Sequence, residues 1–339
     1  MPKSVAKIIT LCIFAALIVT SFLILKPFIS AILTALVLAY IFRPIHLKLN
    51  KIIKKPTLSA FLVSLLVFII LVVLGAVILN VAAKQMINFY AYTQSTDIIA
   101  PIKAVLAKIT DSSFSMQISY LLDTGLKNAT SYMVNYFSSL ILDLPVIIIQ
   151  LIVTFFVMFY FMRDADIIGK YIRSILPFEE HTKEKFFTRF SEITSGVIYG
   201  TIIVGLIQGI VAGIGYFLFG VQGAFLLMLM SIILSVFPIG PWLIWLPTGV
   251  NLLIHGKTNE GIGLLLFGLI IVSYIDNVVR PYFVGRKAKM RGAIVLIGML
   301  GGISLFGIIG VIVGPIILDY LLIFLEFYRT GHLKNILKS

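Results

Sequence analysis

Few side chains in this sequence can do chemistry, and their spacing narrows what that chemistry is. The sharpest group is the string Tyr274-Ile275-Asp276-Asn277-Val278-Val279-Arg280-Pro281. Asp276 and Arg280 stand four apart, acid first, so on an α-helix they share a face, with Asn277 beside them. A carboxylate within an apolar span is costly unless it is paired or wet. The group is therefore either a binding site or a mutually neutralising pair that ends the helix before Pro281. Asp319 stands alone in the last apolar stretch, after Gly314-Pro315, as a proton carrier or a structural partner. Gln208 is a polar side chain at membrane depth and must face protein or water rather than lipid. Gln208, Asn277 and Asp276 could hydrogen-bond a small polar solute. Asp276 or Asp319 could instead exchange a monovalent cation for a proton. Permanent pairing with Arg280 would make Asp276 a poor proton carrier and pass that role to Asp319.

No catalytic machinery accompanies these residues. The sequence has no GxxxxGK, GxGxxG, HExxH or GxSxG string, and no nucleophile is spaced to pair with a base. The expectation is a non-enzyme without catalytic residues, cofactor or metal site, driven by a gradient or a partner. Cys12 is single and lies in an apolar run, so it reads as a small hydrophobe. His46, His181, His255 and His332 are far apart and read as loop or helix-end residues.

Two further patterns concern how elements bend and pack. Residues 236–249 hold Pro238, Pro241 and Pro247 with Gly240 and Gly249. Proline removes an amide donor and breaks a helix. Freed carbonyls at membrane depth can bind a cation or solute, which makes Pro238, Gly240 and Pro241 hinge or gating candidates. The other reading is a turn between spans, anchored at the interface by Trp242 and Trp245. Gly196, Gly200, Gly205, Gly209 and Gly213 recur every four or five residues and leave a flat stripe, either for close helix packing or as a mobile face of a transport path. Gly301 and Gly302, with Gly307 and Gly310, offer a bend in the last apolar stretch.

The elements that position these residues follow from composition. Of 339 residues 60% are hydrophobic and 12% charged, and mean hydropathy is +1.09. A soluble domain carries ~25% charged residues, so this is an all-α, polytopic transmembrane helix bundle. Apolar runs at 8–25, 27–42, 58–82, 146–162, 196–219, 221–237, 242–255, 261–279 and 293–327 give about eight spans, since several are short. Pro27 predicts a tight turn between the first two. The stretch 293–327 is read as a re-entrant or broken hairpin, with a single tilted span as the alternative.

The net charge of +13 would suggest nucleic acid on a soluble protein. Here no nucleic acid is expected, because 21 of the 27 basic residues fall on one side once the N-terminus is placed inside and the spans alternate. Both termini are then cytoplasmic in a multi-pass plasma-membrane protein whose surroundings are the lipid bilayer. Lys3 and Lys7 precede a first run too long for a signal peptide, so it reads as a retained span.

The predicted organisation is N-terminal spans at 1–83, extracytoplasmic or interfacial amphipathic helices at 84–145, a span at 146–162, a cytoplasmic helical segment at 163–195, a transport core at 196–327 and a cytoplasmic tail at 328–339. In 84–145, Met116, Tyr120 and Leu121 recur at helical spacing, although a solvated spacer is the alternative. In 163–195, Ile167, Ile168, Tyr171, Ile172 and Ile175 form one apolar face and Phe186, Phe187, Phe190 and Ile193 another, joined at Leu176-Pro177-Phe178.

Phe237-Pro238-Ile239-Gly240-Pro241, Asp276-Asn277-Val278-Val279-Arg280-Pro281 and the glycine-rich run 301–315 together resemble the autoinducer-2 exporter family. Tyr160-Phe161-Met162-Arg163-Asp164 and Leu176-Pro177 are similar to it as well. The likeness covers 146–327 with specific strings. Before that it rests on hydropathy and Arg43-Pro44. The resemblance implies a membrane transporter and a homo-oligomer, a pentamer among the possible sizes. Its family name implies export of a small neutral furanone. Other members are described as sodium(lithium)/proton antiporters. A docking or structural membrane protein, with the two extramembrane segments as its working parts, is the reading without transport.

Overall fold

The computed structural model describes residues 3–95, 112–175, 180–236 and 240–329. Helices account for nearly all of them, with no strand among the described residues. The helices are α1 (Lys3–Leu25), α2 (Ile29–Ile53), α3 (Pro56–Ser95), α4 (Ser112–Leu142), α5 (Leu144–Arg163), α6 (Ala165–Ile175), α7 (Glu180–Leu218), α8 (Ala224–Val236), α9 (Trp242–Ile254), α10 (Thr258–Phe267), α11 (Arg280–Lys287), α12 (Gly292–Phe306) and α13 (Gly310–Arg329). Two π turns, Gly268–Val272 and Ile275–Val279, carry the chain from α10 into α11.

Among the described residues six helical segments are long and apolar enough to cross a membrane: Ile9–Ile53, Pro56–Val77, Leu144–Arg163, Lys183–Leu218, Thr258–Arg286 and Gly292–Leu325. The first and last each contain two helices joined by a 3-10 turn, at Lys26–Phe28 and Gly307–Ile309. The chain is an all-α polytopic membrane protein. Pro27 does not open a loop: Leu25, Phe28 and Ile29 all keep right-handed helical dihedrals, so the helical path continues through the turn.

Predicted boundaries at 83 and 195 fall inside helices. α3 runs unbroken for 40 residues, about 60 Å at 1.5 Å per residue, twice the ~30 Å hydrocarbon core. The Leu176-Pro177-Phe178 joint and Pro238 lie outside the described residues.

The chain divides into two compact units. One comprises Met1–Ile69, Ile148–Ile203 and Val278–Ser339; the other comprises Ile70–Ile147 and Val204–Asn277. In the first, Ile193, Val197 and Ile198 of α7 pack with Val284 and Ala288 of the α11 end and with Val295 of α12. Gly196 and Gly200 set that spacing, since a Cβ on Gly200 would meet Val284 Cα at 3.2 Å and one on Gly196 would collide with Ala288 backbone. Thr154 of α5 donates to the Ala31 carbonyl of α2 at 3.3 Å.

His46 corrects an expectation. It is neither in a loop nor at a helix end but buried inside α2, where its Nδ1 lies 3.1 Å from Ser59 Oγ. A histidine that finds a partner can be carried on a buried helical face.

The last apolar stretch of this unit is a helical hairpin. It reverses at Gly307, whose φ of +66° and ψ of −150° only glycine adopts readily. Gly301 and Gly302 lie six and five residues earlier, within α12. Gly302 faces the Gly310 and Gly314 backbone, and Gly298 faces Pro315. Gly301 faces open space.

In the second unit α7 continues as a platform for α8. Gly205 meets the backbone of Ser235 and Val236, Gly209 that of Ile232, and Gly213 the side chain of Met228. α9 packs on α10 through Gly249, Leu253, Gly261 and Leu265. Tyr216, Leu234, Trp245, Leu264 and Val272 form the apolar core.

Candidate functional site

The second unit gathers polar side chains where its helices are interrupted. α8 and α9 have 13 residues each. At ~20 Å long each falls well short of the ~30 Å hydrocarbon core. Pro241 caps α9, while Pro247 lies inside it. At the turn Gly240 has φ +88° and donates its amide to the Leu234 carbonyl at 3.1 Å, closing the end of α8.

Four elements bring polar groups here. The glycine face of α7 carries Gln208, which is buried. Its Nε2 lies 3.5 Å from the Val272 carbonyl, the outer limit of a hydrogen bond. Val272 ends the first π turn. A π turn inserts a residue into the helix and disturbs the regular pairing of carbonyls, a distortion frequent at functional sites. α8 carries Ser231 and Ser235, both fully buried. The Ser231 and Tyr216 hydroxyls are 2.8 Å apart.

The second π turn carries Asp276. Its Oδ2 lies 3.6 Å from where a Cβ on Gly240 would stand, so the carboxylate faces the hairpin turn. The Trp242 ring is on the same side of Gly240, at 3.0 Å from that position. Trp245 is not an interfacial anchor: it is buried against Gly268.

Gln208 and Asp276 thus flank one π-distorted segment. Asn277 is exposed and turns back to its own helix, donating from Nδ2 to the Ser273 carbonyl at 2.9 Å. Arg280 is buried and belongs to the first unit. Asp276 stands within the π turn over Ile275–Val279, and Arg280 directly follows it. Asp319 is also in the first unit, 8% exposed, with Oδ2 lacking a hydrogen-bond partner. It lines a cavity of about 460 Å³.

Sequence reasoning missed the Tyr216–Ser231 pair and Ser235. Their signal was present, because Ser231 and Ser235 are four apart in an otherwise apolar helix. The π turns had no comparable sequence signal.

The chain matches the family described as AI-2E family transporter over residues 11–330. It is 27% identical over 315 residues to a candidate transport protein of Aquifex aeolicus, covering 88% of this chain and 89% of that protein. It is 30% identical over 318 residues to one of Methanothermobacter thermautotrophicus, covering 93% and 92%. A third, from Pyrococcus horikoshii, is 28% identical over 337 residues, covering 98% and 91%. The match runs through both compact units, polar turn and glycine hairpin included, and the chain belongs to the AI-2E transporter family.

Proposed function

We propose that the chain exports a small polar organic solute such as autoinducer-2 across the plasma membrane, by facilitated or gradient-coupled transport. The observation that carries this reading is the Asp276 carboxylate facing Gly240, in a unit whose neighbouring helices α7 and α8 carry the buried Gln208 and Ser235. A neutral polyol-like solute needs donors and acceptors in a mostly apolar wall more than it needs charge. Gln208 offers an amide, Ser235 a hydroxyl and Asp276 a carboxylate acceptor. Gly240 keeps the backbone next to that carboxylate free of a side chain. The protein works as a homo-oligomer, with both termini cytoplasmic.

A second reading, Na⁺(Li⁺)/H⁺ antiport, has one observation in its favour: the buried Asp319 carboxylate with an unpartnered oxygen. Against it stands the company Asp319 keeps, since Arg189, Lys289, Arg291 and Arg329 line the same cavity and oppose a cation there.

Purified protein in liposomes separates the two. The export reading expects furanone flux that falls with Asp276→Asn and survives Asp319→Asn. Sodium-dependent proton flux lost with Asp319→Asn, without furanone flux, would replace it with antiport. Orientation is tested with Lys289→Cys in a Cys12→Ala background. A cytoplasmic α11–α12 turn expects no labelling by an impermeant thiol reagent in intact cells, and labelling there would reverse the topology.

A further inference from the structure

The cavity beside Asp319 has a composition that solute export does not use. It lies wholly within the first unit, at the end of the α12–α13 hairpin opposite its reversal. Arg189 of α7, Lys289 and Arg291 of the α11–α12 turn, and Arg329 at the end of α13 line it, with Asp319 as its acid. Glu192 answers part of this charge. It pairs with Arg189 at 3.2 Å and with Lys289 at 3.8 Å. Four cations against two carboxylates leave a net positive site.

The backbone adds to it. Arg291 is the extended residue that precedes α12, so the amide end of that 15-residue helix opens beside the cations. Lys289 sits at φ +58°, which a lysine rarely adopts, and this holds the short turn that brings Lys289 and Arg291 onto the cavity. The rest of the wall includes Leu322 and Leu325 on the face of a membrane-crossing helix. A basic mouth over an apolar wall at the end of a span suits an amphiphile rather than a soluble ion.

We propose that this cavity binds the headgroup of an anionic phospholipid of the phosphatidylglycerol type. Arg291 and Arg329 take the phosphate, for which a guanidinium offers paired donors. The Asp319 carboxylate, which lines the cavity, accepts a hydrogen bond from a hydroxyl of the glycerol headgroup. Leu322 and Leu325 meet the first methylenes of the acyl chains. The volume of about 460 Å³ is that of a small-ligand site, within the ~300–1,000 Å³ such sites span. A soluble glycerol phosphate shares the headgroup chemistry but has no chains for the apolar wall.

The test is native mass spectrometry of the full-length protein with phosphatidylglycerol, phosphatidic acid and phosphatidylcholine. The expected order of retention is phosphatidylglycerol first and phosphatidylcholine last, roughly tenfold apart. Arg291→Gln with Arg329→Gln should abolish that preference. Both residues are exposed, so folding is retained, as an unchanged thermal midpoint verifies. Asp319→Asn should lower phosphatidylglycerol to the level of phosphatidic acid, which lacks the glycerol hydroxyls. Lys257→Gln, in the second unit, should change nothing. Equal retention of phosphatidylglycerol and phosphatidylcholine, or a folded double variant that keeps the preference, would overturn the proposal. Displacement of the lipid by equimolar glycerol phosphate would overturn the lipid assignment in favour of a soluble organophosphate.

Discussion

Two successive helix pairs among the described residues, α12–α13 and α8–α9, are built on opposite principles. α12 and α13 share the most extensive helix–helix contact among the described elements. Gly298 and Gly302 face Gly310, Gly314 and Pro315 backbone to backbone, so at these positions no side chain separates the arms. α8 and α9 also turn back on a glycine of positive φ, but their arms are held mainly by other helices. α8 rests on the glycines of α7, and α9 rests on α10. α8 also carries the buried Ser231 and Ser235, and Asp276 faces Gly240, whereas α12 and α13 meet through glycine backbone and apolar side chains.

The sharpest way to break this contrast is within two adjacent glycines. Gly302→Leu forces a side chain into the Gly310–Gly314 backbone and should cost upwards of ~3 kcal/mol, leaving little folded protein on size exclusion. Gly301→Leu points into open space and should leave the thermal midpoint close to wild type. Similar losses for both would remove the seam from the explanation.

The Gly240 turn should respond less in stability and more in transport. Gly240→Ala places a methyl at φ +88° and against the Trp242 ring. About 1–2 kcal/mol of strain is expected by thermal melt, with furanone flux falling further than the folded fraction. Flux that tracks the folded fraction alone would make the turn merely structural.

Tyr216→Phe leaves Ser231 without its hydroxyl partner and should cost about 1 kcal/mol, read from the same melt. The smallest effect belongs to the surface. The Arg163 hydrogen bonds hold the Asp164 carboxyl below its ordinary value. Its contribution is therefore present above the ordinary carboxylate range and fades as pH falls through the lowered value. Wild type and Asp164→Asn should differ slightly at neutral pH and converge in strong acid. Both groups are solvent-screened, and a large gap at neutral pH would show a role beyond this pair.

Much of this was legible in the residues. The five-glycine stripe of α7 announced close packing. The glycines of 301–310 announced a reversal, although its place at Gly307 depends on which glycine must take positive φ and which must meet another backbone. What stayed hidden depends on geometry that spacing cannot carry. The π turns at Gly268–Val272 and Ile275–Val279 follow from no residue pattern in the sequence. His46 looked peripheral because Ser59, its partner, lies on another helix. The cations around Asp319 come from three separate stretches, which looked like ordinary positive-inside charge.

The claim that the α8–α9 hairpin lines the solute path is tested most directly at Ser235, buried where α8 nears its turn. In a Cys12→Ala background, Ser235→Cys and Gly301→Cys in proteoliposomes are exposed to a small thiol reagent with and without saturating furanone. The expected result is slow labelling of Ser235→Cys that the solute suppresses roughly tenfold, with Gly301→Cys indifferent to it. Labelling of Ser235→Cys that the solute leaves unchanged, or none at all, would contradict the claim.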